Sequence, residues 1–175
     1  MTERTDTSRP HWYVACVKSC QERNAVEALS RQAYQTYLPI VREIHKWSDR
    51  RKVVERMLMP HYVFVRCMEQ DRIRILEDIP YVCRFMYDRC NSGAAMVRDE
   101  EMEAFRAMVE KGGRDVSIST IPVAPGDKVR VTSGPLEGVE CELTQVSGGR
   151  CLAVRLGSVF TATMVLSIDT VSKIE

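Results

Sequence analysis

The chain changes its pattern of apolar and polar residues near residue 112. Before that point, short β-rich runs such as residues 11–17 alternate with stretches in which apolar residues recur every three or four positions, the spacing of a helix face. The predicted strands are residues 11–17, 36–44, 53–68 and 81–87, and the predicted helices are residues 21–34, 69–78 and 99–111. This β-α-β-β-α-β order with a final helix is typical of the split βαβ, ferredoxin-like arrangement, an α+β fold in which helices cover an antiparallel sheet.

Beyond residue 112 the helical spacing disappears. Residues 112–121 begin with glycine and are polar, which is typical of a linker. Residues 122–175 hold five short β-rich runs separated by turns, a pattern that favours a small five-stranded β-barrel. We therefore expect a disordered start at residues 1–10, an N-terminal domain at 11–111, the linker, and a C-terminal barrel domain.

The strand within MLMPHYVFVRCM, residues 57–68, is apolar on both faces. Val63, Val65 and Cys67 form one row and Tyr62 and Phe64 form the other, because side chains alternate along a strand. One row can pack on the helices of its own domain. The other row needs a cover, which is either the rest of the protein, as in an ordinary strand packed on both sides, or a partner molecule.

Composition excludes several classes of protein. Of the 175 residues, 45% are apolar and 28% are charged, which is typical of a globular protein, and no apolar run is long enough to span a membrane. The polar N-terminal residues lack the apolar core of a signal peptide, so we expect a cytoplasmic protein. A net charge of +1 is too small to indicate nucleic-acid binding by the whole surface, so any such role depends on a local patch.

The seven cysteines form no C-x-x-C pair, which is typical of reduced core residues in an intracellular protein. The alternative is a zinc site built from Cys16, Cys20 and one of His11, His45 or His61, but the close cysteine pairs of such sites are missing. The chain also lacks the sequence motifs of hydrolases and of phosphate-binding loops. We therefore expect a binding protein without a metal or cofactor rather than an enzyme.

The most basic stretch of the chain is residues 42–56, with six basic and three acidic residues. Its centre, KWSDRRK, predicts a hairpin turn. A tryptophan ring can stack on an unpaired base while neighbouring cations neutralise phosphates. The candidate nucleic-acid-binding residues are Lys46, Trp47, Arg50, Arg51 and Lys52. The alternative is a solvated turn whose tryptophan folds back on the sheet.

Several of these segments, in their order along the chain, resemble a known family. WYV at residues 12–14, YLP at 37–39, MPHYVFV at 59–65 and the acid-rich start of the third helix together resemble the N-terminal (NGN) domain of NusG-type transcription elongation factors. GDKVRVTSGPLEGVECEL at residues 126–143 resembles the KOW motif of their SH3-like C-terminal barrel. The matching KOW positions are Gly126, Asp127, Val129, Gly134, Pro135, Leu136 and Gly138.

The resemblance implies a non-enzymatic factor that binds RNA polymerase and suppresses pausing or termination. Its N-terminal domain would dock on the clamp helices of the largest polymerase subunits. The hairpin would then lie near the non-template DNA strand or the nascent RNA. The family's docking face falls on Cys16, Tyr62, Phe64, Val82 and Arg84. We expect the protein to be a monomer.

Within the family, the compact WSDRRK hairpin and short linker are more similar to specialised antitermination paralogues of the RfaH and UpxY kind. The similarity is greater to the UpxY group, which is tied to capsular polysaccharide operons. A general NusG-type factor is the alternative within the family. A ribosome-associated KOW protein is the alternative from another class, although it would need a more basic surface.

Two residues depart from the family pattern in the C-terminal motif. Leu136 stands where the general factor has a phenylalanine, in the turn that meets Rho or a ribosomal protein, and Cys141 stands where glycine is usual. The resemblance therefore leaves open whether the barrel has either partner.

Overall fold

The computed structural model describes residues 9–46, 51–88, 92–120, 126–133, 136–146, 149–165 and 171–173. Within these ranges the protein is a mixed α/β fold with antiparallel sheets and few helices. Contacts divide the chain into two compact units, Met1–Leu38 with Met59–Asp99 and Pro39–Leu58 with Glu100–Glu175. The hairpin and the third helix therefore group with the C-terminal residues, although the sequence assigns them to an N-terminal domain at 11–111.

The secondary structure follows the predicted order with more strands. The strands are β1 His11–Val17, β2 Gln35–Tyr37, β3 Ile40–Lys46, β4 Arg51–Met57, β5 Tyr62–Cys67, β6 Val82–Phe85, β7 Tyr87–Asp88, β8 Gly93–Ala94, β9 Met96–Val97, β10 Val116–Ser119, β11 Asp127–Val131, β12 Glu140–Val146, β13 Gly149–Leu156, β14 Phe160–Val165 and β15 Val171–Lys173. The helices are α1 Glu22–Arg31, α2 Asp71–Asp78 and α3 Asp99–Gly112. None of these helices is long and apolar enough to cross a lipid bilayer.

β1 is a central strand of the main sheet in the first unit, which has the order β2-β5-β1-β6 with β9 added to β1. Every pairing in this sheet is antiparallel. The predicted row Val63, Val65 and Cys67 packs in one core cluster with Ala25 and Leu29 of α1. Because burying a side chain of leucine size contributes about 1.5–3 kcal/mol, this shared cluster holds α1 on the sheet.

α2 packs on the sheet with a face that is only partly the one that the sequence predicts. The spacing of Ile73, Leu76 and Ile79 predicts that these three residues are buried. Ile79 is buried, but Ile73 is 65% exposed, Leu76 is 39% exposed, and Ile75 is buried instead. Arg72 lies one turn before Ile75, and its guanidinium is 5.3 Å from the centre of the Tyr13 ring. A charged residue thus occupies a position on the packed face, which an apolar pattern cannot reveal.

The predicted strand at 36–44 is two strands, β2 and β3, separated near Pro39. A proline has no N–H for a sheet ladder, so it favours a break at this place. β2 joins the main sheet, whereas β3 and β4 form a two-stranded sheet that ends with Lys46 opposite Arg51. The connecting residues 47–50 lie outside the described residues.

The second unit contains an antiparallel sheet of order β10-β14-β13-β12-β11-β15. β11 to β15 correspond to the five strands that the sequence predicts beyond residue 122. β10 is an addition, and it lies within the predicted linker at 112–121. It pairs with β14 from Val116 opposite Met164 to Ser119 opposite Thr161. Residues 116–119 of the predicted linker therefore form a strand, and their alternation of apolar residues and serine suits one.

Candidate docking surface and hairpin

Three of the predicted docking residues meet across three strands of the main sheet. Cys16 of β1 lies directly opposite Tyr62 of β5 on one side and Arg84 of β6 on the other. Direct partners in an antiparallel pair project from the same face of the sheet, so these side chains form one row, here called the Cys16 row. Cys16 at its centre is 8% exposed, Tyr62 is half-buried and Arg84 is exposed.

Burial makes the Cys16 thiol behave as an apolar group. Burial raises its pKa, while the nearby Arg84 guanidinium lowers that pKa and the neighbouring Cys83 raises it. The thiol therefore stays protonated at neutral pH, as suits a packing residue. Cys16 therefore fills space at the centre of the row. The aromatic and charged groups of the row are those of Tyr62 and Arg84.

Phe64 lies deeper in the same face of the sheet than the Cys16 row. It is opposite Val14 of β1 and Tyr37 of β2, and its side chain is 0% exposed. The Phe64 and Tyr37 ring centres are 6.2 Å apart in a tilted arrangement. In this conformation the Phe64 ring is packed inside the protein, so a direct contact between Phe64 and a partner stays a prediction.

Val82 lies on the opposite face from the Cys16 row. The register is Cys16 opposite Arg84 and then Val17 opposite Val82, so a β-bulge leaves Cys83 as an extra residue. Without the bulge, simple alternation would place Val82 beside Arg84. Instead Val82 belongs to the core cluster that packs against α1 and α2. The exposed Cys83 is the residue that sequence reasoning missed next to the row.

A partly buried hydrogen-bond network connects α2 to β1. The Tyr13 hydroxyl donates a hydrogen bond of 2.8 Å to Glu69 Oε2, and Arg72 Nε donates one of 3.1 Å to the same oxygen. Burial and the Glu69 carboxylate raise the pKa of Tyr13. The hydrogen bond from Arg72 is the main reason why the pKa of Glu69 is lowered. The Glu69–Arg72 spacing of three residues is the only sequence signal of this network.

This network predicts a loss of stability in acid. A carboxyl group whose pKa is lower in the folded protein stabilises the fold above its unfolded pKa, and that contribution is lost as the pH falls through the folded pKa. Glu69→Gln should therefore lower the free energy of unfolding near neutral pH, and the difference from the wild-type protein should vanish at strongly acidic pH. Urea unfolding across a pH series measures this. Glu77→Gln, at an exposed position of α2, is the control, and an equal effect there would contradict the prediction.

The hairpin carries two ion pairs across its strands near its base. Arg42 Nε is 3.2 Å from a Glu55 carboxylate oxygen, and Arg56 Nε is 2.7 Å from a Glu43 carboxylate oxygen. These glutamates thus balance the arginines at the base of the hairpin.

Near the tip, the strand register is known from the backbone pairing of β3 with β4. Lys46 lies opposite Arg51, and His45 lies opposite Lys52. Trp47 and Arg50, the other predicted nucleic-acid-binding residues, lie outside the described residues.

The C-terminal motif residues mainly build turns and core. A Cβ at Gly126 would collide with the Leu143 backbone, and Gly138 takes a left-handed φ of 84° that favours glycine. Val129 is buried, and Asp127 is 3.0 Å from the Lys173 ammonium. Gly134 and Pro135 lie outside the described residues.

Leu136 is a core residue at 1% exposure, and Cys141 is also buried. Burial raises the pKa of the Cys141 thiol to about 12, so it packs as a neutral group. Because its side chain is buried, Leu136 is not an exposed anchor for a protein that binds the C-terminal sheet. As for the alternative zinc site, no group of three or more His, Cys, Asp or Glu side chains in the described ranges is arranged to hold a metal ion.

Comparison with known proteins identifies one family and several similar structures. The family model described as transcription termination factor nusG matches residues 10–106. The structure of Thermotoga maritima NusG that concerns its domain interaction is 20% identical to this chain with a TM-score of 0.46, covering 97% of this chain and 99% of that chain. Conformation A of the MjSpt4:Spt5 complex is 13% identical with a TM-score of 0.32, covering 94% of this chain and 98% of that chain.

Proposed function

Because the chain belongs to the NusG family of transcription factors, we propose that it binds RNA polymerase during elongation and suppresses pausing or termination. Family membership indicates a general role in transcription elongation or antitermination and points to a non-catalytic factor. The protein would act by holding the polymerase in a processive conformation. It would be a cytoplasmic monomer that needs no cofactor.

The Cys16 row is the observation that carries this proposal. It presents an arginine and part of a tyrosine ring on either side of a packed, neutral centre. Tyrosine and arginine are among the residue types that dominate binding energy at protein interfaces, particularly beside packed apolar surface. The clamp helices of the largest polymerase subunits are the proposed partner. Phe64 and Val82 would support the row from within the protein rather than touch the polymerase.

The hairpin is proposed to contact nucleic acid next to the polymerase. The basic residues in the sequence of its tip suit an extended anion such as the backbone of a single DNA strand, and the register places two basic positions, Lys46 and Arg51, opposite each other. The non-template strand of the transcription bubble is the proposed ligand, with nascent RNA as the other outcome of the test. Trp47 would stack on an unpaired base.

Replacing Arg51 and Lys52 together with alanine should weaken crosslinking of the hairpin to bubble DNA and reduce its salt dependence, because fewer phosphate counterions are released. Trp47→Ala should weaken crosslinking while leaving the salt dependence nearly intact. Crosslinking yield over a salt series, with DNA and RNA strands labelled separately, measures both effects.

Arg42→Ala is the matched control for charge, since Arg42 is already paired with Glu55 at the base of the hairpin. It should change the crosslinking much less than the change at the tip. If none of the tip variants alters crosslinking while polymerase binding persists, the hairpin is a solvated turn and the nucleic-acid contact must lie elsewhere.

A specialised role in particular operons, such as capsular polysaccharide operons, is the finer proposal. It is supported by the compact hairpin, whose strands are joined by only residues 47–50. Mapping the protein along the genome, with transcript lengths in a deletion strain, tests it. Occupancy of a few operons would support a specialised factor, whereas occupancy of most transcribed genes would support the general NusG-type alternative.

We also propose that the first unit's sheet belongs to a ferredoxin-like NGN domain and that β11 to β15 form an SH3-like KOW barrel, with domains at 11–111 and 122–175. The antiparallel order β2-β5-β1-β6 supports the former, and the tight turns at Gly126 and Gly138 support the latter. Because Leu136 is buried, a Rho or ribosomal-protein contact of the usual kind is not proposed. Ribosome co-sedimentation beside a polymerase pull-down tests the ribosomal alternative.

A further inference from the structure

Glu22, the first residue of α1, is a buried carboxylate with a specific partner. It is 4% exposed, although a carboxylate is costly to bury without hydrogen bonds. Its Oε1 accepts a hydrogen bond of 3.0 Å from the backbone N–H of His61. Such a bond to an ionised acceptor is of the stronger, charge-assisted kind. It joins the start of a helix to a turn that lies far along the chain, immediately before β5.

The turn that Glu22 holds has a strained backbone. His61 has a φ of 71°, in the left-handed region that residues with a side chain rarely adopt. The His61 carbonyl accepts a hydrogen bond of 2.8 Å from the Val17 N–H, and the Tyr62 N–H donates one of 3.3 Å to the Met59 carbonyl. Strained conformations of this kind persist only where the surroundings fix them. This turn is fixed by two hydrogen bonds of His61, one to the Glu22 side chain and one to Val17 at the end of β1.

We propose that Glu22 is a positioning residue for the Cys16 row. Tyr62 follows His61 directly and lies opposite Cys16, so the position of the turn decides where the tyrosine ring stands in the row. Glu22 is buried and does not touch the polymerase; it acts through the His61 backbone. This inference rests on the proposed docking function and extends it to a residue outside the docking surface.

Amide hydrogen exchange and polymerase affinity, measured on the same full-length variants, test the inference. Glu22→Ala and Glu22→Asp both remove an acceptor within reach of His61, whereas Glu22→Gln keeps a carbonyl oxygen there. We expect faster exchange of the His61 N–H and about tenfold weaker polymerase binding in the first two variants, and near wild-type values in the glutamine variant. Glu22→Asp keeps a charge at the start of α1, so it still folds if the alanine variant does not.

Leu29→Ala is the control for a general loss of stability, because Leu29 is buried on the same helix about two turns away from Glu22. It should leave the His61 exchange and the polymerase affinity of the folded protein nearly unchanged. Faster His61 exchange without weaker binding would overturn the positioning role, and so would equal weakening by Leu29→Ala. If the wild-type protein does not bind polymerase, the proposed function fails, and the exchange rate still decides whether Glu22 holds the turn.

Discussion

Phe64→Ala is expected to destabilise the protein by about 3–5 kcal/mol, the usual cost of removing a fully buried phenylalanine ring. The ring is 0% exposed and packs beside Tyr37, so its loss leaves a cavity in the main sheet. Chemical denaturation followed by circular dichroism measures the change. From the sequence alone, this ring is a docking residue whose removal would leave stability intact, so the experiment separates the two interpretations.

Phe64→Leu is the graded control for this prediction. It retains most of the apolar volume and should cost about 1–1.5 kcal/mol, well below the alanine variant. An alanine variant as stable as the wild-type protein would show that Phe64 is not a core residue in solution. The ring would then be available to a partner, as the family resemblance implies.

Tyr62→Ala and Arg84→Glu are each expected to weaken polymerase binding by about 2 kcal/mol, or roughly thirtyfold, with little change in stability. Both side chains are at least partly accessible in the Cys16 row, so truncating them removes contact with a partner without opening the core. Reversal of the arginine charge also introduces repulsion at any acidic contact. Fluorescence anisotropy with purified polymerase measures the affinities.

Arg31→Glu is the matched control for the charge reversal. Arg31 is an exposed arginine at the end of α1, where its partner is Glu27 of the same helix. Because α1 packs on the opposite face of the sheet from the Cys16 row, its reversal should leave polymerase binding unchanged. Equal losses at Arg31 and Arg84 would indicate a nonspecific charge effect.

The sequence predicts where the strands of the candidate site lie. It predicts less well which face of the sheet is occupied by the residues at the strand ends. β1 begins and ends as expected, and the alternation in β5 places Val63 and Val65 in the core. The position of Val82 depends on a bulge at Cys83, and nothing in the residue pattern of β6 announces an extra residue. Alternation is a local property, whereas a bulge depends on how two strands fit together.

The buried face of α2 and the strand β10 could not be predicted from the sequence for a similar reason. α2 has apolar residues on two sides. Arg72 stacks over the rings of Tyr13 in β1 and Phe85 in β6, and this contact decides that Ile75 rather than Ile73 faces the sheet. β10 is too short to be recognised alone and becomes a strand through its pairing with β14. The hydrogen bond from His61 to Glu22 is equally invisible, because the two residues are 39 positions apart.

Photo-crosslinking from position 83 directly tests whether the protein binds RNA polymerase through the face of the sheet that carries the Cys16 row. Cys83 is exposed beside Arg84 and lies outside the row itself, so a photoreactive residue there reports contact without removing a proposed anchor. In an assembled elongation complex, we expect crosslinks to the largest polymerase subunits from position 83 and none from the same photoreactive residue placed at position 31. Crosslinks from position 31 with none from position 83 would contradict this expectation, because the protein would then meet the polymerase through the opposite face.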